Sequence, residues 1–295
     1  MKWVQVNERE FNFYIPNFTY IPLFDAAKLT IESIIKNYPP PYNLMVSGGI
    51  DSQAMLYFWN KFGRDFVPIS VIYNTDYNLH DILKLEEINQ NYNFKIHYKD
   101  FDLFSFLENE AVEYAYKYKC SSPCITTHIK MSEDLTGTVI YSGDFIHNIK
   151  PLLTNSILGL YRASLERKNL IPYFFLHTPE LTYALQPLQK TLNMENKGKK
   201  THYSKIDTYI KNGIPVVPQV TKTTGFENIK DYYDKHFSHL ITPLHRIKYS
   251  TKHSKRVFDL LYRYPYEELF DTSTLTYIIN QACGGKSTFV ERKIW

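Results

Sequence analysis

Cysteine is scarce in this chain: Cys120, Cys124 and Cys283 are the full set in 295 residues. An odd and thinly spread set is not the dense, even-numbered framework that staples small secreted domains, so the three read as reduced thiols. Long apolar runs are missing as well. The stretches around Leu44 to Val46 and Ile69 to Tyr73 fall far short of the roughly 20 residues that a membrane-spanning helix needs. The opening MKWVQVNEREFNFYI carries acidic residues and alternation where a secretory leader has a basic start and an unbroken apolar stretch. The expectation is a cytoplasmic protein with no membrane partner. Nor is there a large excess of charge of one sign. The 34 Lys and Arg against 30 Asp and Glu leave +4, a weak lean towards polyanions that leaves nucleic-acid binding open. No internal repeat is evident.

What is present is apolar bulk. At 44% hydrophobic residues the chain can bury an ordinary core, as one large domain or two modest ones. Its 25 Tyr and 19 Phe accompany frequent Asn, Ile and Lys. A bias of the coding sequence towards A and T produces that combination, so it carries no functional weight.

Along the chain, Trp3, Val4, Val6, Phe11, Phe13 and Ile15 alternate with polar residues, the period of one or two short strands forming an edge hairpin. Asp25 is placed to cap a helix whose apolar positions Ala26, Leu29, Ile31, Ile34 and Ile35 follow the helical period. Pro39-Pro40-Pro41 stops it. Then come a short apolar strand, Tyr42 to Val46, a glycine loop, and a helical pattern from Asp51 to Phe62. The plan repeats: a strand at Val67 to Tyr73, a helix at Leu79 to Asn91 and a strand at Phe94 to Tyr98. A helix at Phe101 to Tyr118, a loop bearing Cys120 and Cys124, and a strand at Thr138 to Tyr141 follow. Strands alternating with helices imply parallel βαβ units. Residues 1–150 are therefore expected to form a doubly wound, mainly parallel α/β domain, with ligands beyond the carboxyl ends of its strands. From Leu152 helical patterns dominate, at Ser156 to Arg167, Pro179 to Leu192, Phe226 to Leu240 and Lys255 to Phe270. Residues 151–295 are expected to be a mainly helical extension that shapes a substrate pocket, with Asn193 to Ser204 as a polar surface loop.

The chemistry concentrates in Ser47-Gly48-Gly49-Ile50-Asp51-Ser52. Set between a strand and a helix, two adjacent glycines let the backbone approach a ligand without a Cβ in the way. Their N–H groups and those of the helix N-terminus point at negative charge. Ser47 and Ser52 add hydroxyl donors. A carboxylate beside an anion is resolved by Mg²⁺, a hard ion that Asp51 and phosphate oxygens can share. As an alternative, the same residues make a tight βα turn with a Ser/Asp helix cap. A Walker-type loop is excluded, since Gly285-Lys286-Ser287 has Asn280 where the earlier glycine is required.

All six positions resemble the SGGxDS signature of the PP-loop ATP pyrophosphatases. That superfamily includes asparagine, GMP and NAD synthetases, cyano-deazaguanine synthase and tRNA thiolases, and the resemblance covers about Asn43 to Asn148. It implies a HUP-type nucleotide-binding fold, with ATP and Mg²⁺ bound at the loop. It also implies adenylation of a carboxyl or carbonyl oxygen with release of pyrophosphate, followed by attack of an amine or ammonia. The acceptor would be a small molecule or a nucleic-acid base, and a homo-oligomer is allowed. Met1-Lys2-Trp3 lacks the cysteine that an amino-terminal glutaminase uses, so ammonia or a free amine is the expected nitrogen donor. By the same resemblance, backbone groups of Ile72 and Tyr73, with Asn74 and Asp76, lie on the adenosine side. An ordinary strand end capped by Asn74 and Asp76 is the alternative.

Ser142-Gly143-Asp144, following a strand, would share the rim of the sheet with the loop, making Asp144 a second Mg²⁺ candidate or else a turn residue. Lys222, within Thr221-Lys222-Thr223-Thr224-Gly225, would neutralise the leaving pyrophosphate or lie solvated at the surface. The CxxxC spacing of Cys120 and Cys124 departs from the CxxC of cluster-bearing thiolases, which favours packing thiols. His128, His147 and His177 lack the i,i+4 metal pattern and stand as substrate-contact candidates. Two other readings stay open: an ATP-dependent sulfurtransferase acting on RNA or a small molecule, and a non-catalytic nucleotide-binding module.

Overall fold

The computed structural model describes residues 4–6, 11–13, 20–73, 77–118, 120, 123–143, 155–185 and 201–218. Its centre is a five-stranded, all-parallel sheet with helices on both faces, a Rossmann-like α/β fold. The elements run β1 (Val4–Val6), β2 (Phe11–Phe13), α1 (Leu23–Asn37), β3 (Tyr42–Met45), α2 (Ile50–Phe62), β4 (Phe66–Tyr73) and α3 (Leu79–Asn89). They continue as β5 (His97–Phe101), α4 (Leu103–Asn109), α5 (Ala111–Lys117), α6 (Pro123–Met131), β6 (Thr138–Tyr141) and α7 (Asn155–Glu166). Last come β7 (Leu170–Ile171), a 3₁₀ turn (Phe174–Leu176), α8 (Pro179–Ala184) and α9 (Thr201–Lys211). β1 and β2 pair antiparallel as a two-stranded sheet of their own.

The sheet order is β5-β4-β3-β6-β7. Chain order therefore reverses at β3, whose two neighbours lead away in opposite directions, and a crevice opens there beyond the strand ends. β3 is buried along its whole length. Its side chains alternate between two cores: Tyr42, Leu44 and Val46 join Ile31, Phe58, Trp59 and Phe175 on one face. Met45 joins Tyr73, Phe106, Ile129 and Tyr141 on the other. The triple proline ends α1 at Asn37 and leaves its carbonyls to β6. Thr138 N–H donates to Pro41 O at 2.9 Å and Thr138 Oγ1 to Pro39 O at 2.6 Å. This levels β6 with β3, Met45 opposite Tyr141.

Several local expectations shift. Asp25 lies in the first turn of α1 rather than at its cap, because Pro22 precedes the helix and its carbonyl receives the first bond, from Ala26 N–H at 2.9 Å. The strand expected at Phe94 to Tyr98 starts instead at His97. The Asn89 carboxamide bonds both main-chain groups of Phe94, at 2.8 and 2.9 Å, and Asn93 turns at φ 55°. One helix from Phe101 to Tyr118 becomes two. Asp102 starts the first by accepting Ser105 N–H at 3.0 Å, and Glu110 interrupts the run. Cys124 stands in α6, not in a loop, and α6 opens on Pro123, a residue suited to a first helical turn. Beyond residue 150 the chain still feeds the same sheet and core: β7 pairs with β6, and Phe174, Leu181, Tyr209 and Ile214 pack under α1 and α2. Thr201 to Ser204, expected at the end of a loop, begin α9. The helices expected at 226–240 and 255–270 lie outside the described residues.

Candidate active site

The glycine loop leaves the end of β3 at the point of reversal, and α2 starts immediately after it. Gly49, at φ −70°, is the last residue before α2. Among the described glycines, positive φ occurs at Gly137, Gly143 and Gly213, not in the loop. The loop therefore does not use its glycines for a left-handed turn. A Cβ on Gly49 would meet Ser47 Oγ at 3.3 Å, closer than ordinary van der Waals contact, so a side chain there would push on the Ser47 hydroxyl.

Inside the loop Ser52 is buried and braces the turn: its Oγ accepts Ser47 N–H at 3.1 Å and lies 2.8 Å from Gly49 O. Ser47 Oγ is 3.3 Å from Ser52 Oγ and accepts Gly49 N–H at 3.3 Å. Gln53 clamps the loop from behind. Its Nε2 lies 2.8 Å from both Gly48 O and Val217 O, and its Oε1 accepts Val217 N–H at 2.7 Å.

Asp51 projects from the first turn of α2 and meets α9. Its Oδ2 is ion-paired with the Lys205 ammonium, and its Oδ1 accepts the Tyr209 hydroxyl at 2.7 Å. Lys205 and Tyr209 share a helix face by their i,i+4 spacing. The Lys205 side chain is only 3% exposed, against 21% for Asp51. A cation so buried needs its partner, so α9 is held to the loop through this carboxylate.

The loop and Lys205 border a cleft of about 430 Å³ at the strand ends. Ser47, Gly49, Ile50, Asp51 and Ser52 form one wall; Gly48 is buried behind it. Ser142 and Gly143, after β6, border the same cleft, as their topology predicts. Gly143 has φ +68°, and a Cβ there would lie 2.1 Å from Tyr173 Cδ1, so the turn demands glycine twice over. Of the strand-end pair, Tyr73 reaches the cleft and Ile72 does not: it is half-buried in register with Asp100 of β5. Asn74, Asp76, Asp144, Lys222, His147 and Cys283 lie outside the described residues.

The far wall is mostly apolar, with Cys124, Ile125, His128, Met131, Tyr141 and Tyr173. His128 stacks on Tyr141 with ring centres 5.1 Å apart, and its Nε2 lies 4.0 Å from Cys124 Sγ. Burial pushes the His128 imidazole down to about 4, so it is neutral at pH 7. His177 instead packs on Tyr38, away from the cleft. Cys120 is fully buried among α5, α6 and α7, as expected of a packing thiol, whereas Cys124 borders the cleft.

Five polar residues of the site were not singled out by sequence: Gln53, Asn78, Asp81, Lys205 and Tyr209. Asn78 and Asp81 could have been found as the start of a helix following a strand end. The polar run before Lys205 obscured α9 instead. Asp51 and Asp81 are the carboxylates bordering the cleft among the described residues, which contain no group of three or more His, Cys, Asp or Glu poised for a metal. This donor set fits a hard ion that arrives with a phosphate ligand, not a closed protein cage.

Fold and site together define a Rossmann-like α/β protein with a glycine loop bordering a cleft at its point of strand reversal. No protein-family model matches the chain, and no curated protein matches its sequence. Among solved structures it is similar to a glutamine-dependent NAD⁺ synthetase from Acinetobacter baumannii in complex with ADP, at 11% identity and a TM-score of 0.33. The match covers 96% of this chain and 49% of that one, so the chain spans about half the length of that structure. A likeness at this level carries no argument about chemistry. Among the described residues, no helix is long and apolar enough to cross a membrane.

Proposed function

We propose that this chain is an ATP pyrophosphatase of the PP-loop type, an enzyme that adenylates an acceptor and releases pyrophosphate. The observation that carries the reading is the fully matched loop at the strand reversal, with the buried Lys205 ammonium held against it by Asp51. An acceptor carboxyl or carbonyl oxygen attacks the α-phosphorus of ATP, the bond to the bridging oxygen breaks, and pyrophosphate leaves. An amine or ammonia then displaces AMP. The main-chain N–H groups of Gly49 and Ile50 and the hydroxyls of Ser47 and Ser52 hold the β- and γ-phosphates. Lys205 stabilises the charge that grows on the leaving group. Asp51, with Asp144 as the proposed second carboxylate, would hold Mg²⁺, which supplies charge neutralisation on the phosphate oxygens when bound. Tyr73, Ser142 and Gly143 belong to the nucleotide's surroundings, as do Asn74 and Asp76 by the same proposal, and Lys222 stays a proposed second cation. The acceptor, a small molecule or a nucleic-acid base, would use the apolar wall around Tyr141 and Tyr173.

The test is product identity. Full-length protein incubated with ATP, Mg²⁺ and a panel of carboxylate and carbonyl acceptors should yield AMP and pyrophosphate. ADP and phosphate as products would overturn the reading. Asp51→Asn should lower that turnover by about a hundredfold or more. It is preferable to Asp51→Ala because it keeps an oxygen for the Lys205 and Tyr209 hydrogen bonds and so separates chemistry from folding better. Wild-type turnover in a folded Asp51→Asn variant would remove Asp51 from the machinery.

One observation favours a second reading, a sulfurtransferase: Cys124 borders the cleft with His128 at 4.0 Å. Cys124→Ser separates the two, since it retains most activity in an amide-forming ligase and loses it where the thiol carries sulfur.

A further inference from the structure

β4 outruns its neighbour. Its register with β3 ends at Met45 opposite Ile69, one more bond follows from Val46 N–H to Ile69 O at 2.9 Å, and β4 continues to Tyr73. Main-chain groups alternate sides along a strand. Val71 and Tyr73 therefore present theirs on the same side as Ile69, at the cleft that opens where β3 gives way to the glycine loop. Asn78 bonds that edge. Asn78 Nδ2 donates to Val71 O at 2.7 Å, and Asn78 Oδ1 accepts Tyr73 N–H at 3.0 Å.

Asn78 immediately precedes α3, where an asparagine ordinarily caps the helix with its side chain. It makes no such cap bond. It is 6% exposed and borders the cleft with the glycine loop. A carboxamide offers one donor beside one acceptor in a plane. The edge of a 6-aminopurine offers the same pair, the N6 amino group beside N1, whereas a 6-oxopurine offers the reverse.

We propose that Asn78 is a resident stand-in for the adenine edge. Its carboxamide holds the donor–acceptor pair of Val71 and Tyr73 until a 6-aminopurine nucleotide takes that pair. The displaced side chain then caps α3, a bond it does not make while it holds β4. Asn78 thereby sets both base selectivity and the cost of base binding: a 6-oxopurine cannot replace it, and an adenine exchanges two hydrogen bonds for two. This inference rests on the reading of the cleft as a nucleotide site.

The experiment compares binding of ATP, ITP and inorganic tripolyphosphate by the full chain and by Asn78→Ala. Removing the competitor should tighten ATP binding about tenfold, the gain expected where roughly a tenth of molecules are open at rest, and leave ITP and tripolyphosphate unchanged. Unchanged or weaker ATP binding in the variant would make Asn78 a structural brace and overturn the inference. A second measurement on the wild type guards against a variant that does not fold. The ¹⁵N side-chain amide signal of Asn78 should move on saturation with ATP and stay in place with tripolyphosphate. A signal unmoved by ATP overturns the stand-in. Wild-type protein that binds tripolyphosphate, and ATP no better than ITP, overturns it while sparing the phosphate loop; protein that binds neither ATP nor tripolyphosphate overturns both.

Discussion

Replacing Lys205 by Met keeps the apolar stem and removes the ammonium that α9 presents to Asp51. In contact, such a pair attracts by roughly 4 kcal/mol at an effective dielectric of about 20. Desolvation offsets part of this, because Lys205 is 3% exposed. The carboxylate left behind is not stranded: it is 21% exposed and keeps the Tyr209 hydroxyl at 2.7 Å. The net loss should therefore lie below the 3–5 kcal/mol typical of a broken, fully buried pair, at about 2 kcal/mol. In a domain of this size that lowers Tm by about 4–8 °C. Pyrophosphate binding should suffer separately, since a charge-assisted contact worth about 1.5–3 kcal/mol is lost, a weakening of roughly 10- to 100-fold. Thermal unfolding and calorimetric titration with pyrophosphate read the two effects on one sample. Adding Asp51→Asn to Lys205→Met should cost little more stability, because the ion pair is already lost and the two changes share it. A Lys205→Met protein with wild-type Tm and wild-type pyrophosphate affinity would refute the placement of α9 over the loop.

Gly143→Ala should destabilise the protein by about 2 kcal/mol or more in urea unfolding, since the new Cβ meets Tyr173 at 2.1 Å and the residue sits at φ +68°; equal stability would contradict this turn. Gln53→Leu keeps the volume but breaks the clamp on Gly48 and Val217. Pyrophosphate affinity should fall roughly tenfold, by the cost of the carbonyl and amide left unpaired, and the Val217 amide should exchange faster with solvent; unchanged exchange would disconnect the two segments. For His128 the folded pKa of about 4 lies below the unfolded value of about 6.5. The unfolded chain binds more protons between those values, so this residue's contribution to stability is complete above about 6.5 and declines as pH falls towards about 4. An imidazole titration midpoint near 6.5, followed by NMR, would disprove that burial.

The local code was legible for much of this fold. The strand, loop and helix around Ser47 to Ser52, the buried run of β4, and the Thr138 to Tyr141 strand could each be read from apolar patterning and glycine placement. The levelling of Ser142-Gly143 with the glycine loop followed from parallel topology. Where reading failed locally, a single side chain had outcompeted the pattern, as Asn89 did by bonding Phe94 and delaying β5. Sequence by itself therefore determined the α/β class and the strand, loop and helix around Ser47 to Ser52, because both depend on residues adjacent in the chain. Tertiary structure alone decided which groups surround that loop: Lys205 on Asp51 and Val217 on Gln53, and Asn78 turned from its helix onto the end of β4. The first two are contacts across 154 and 164 residues. The physical reason is that a buried ammonium or carboxamide is defined by the partner that desolvation forces it to find, and for Asp51 and Gln53 no local periodicity encodes where the fold will bring that partner.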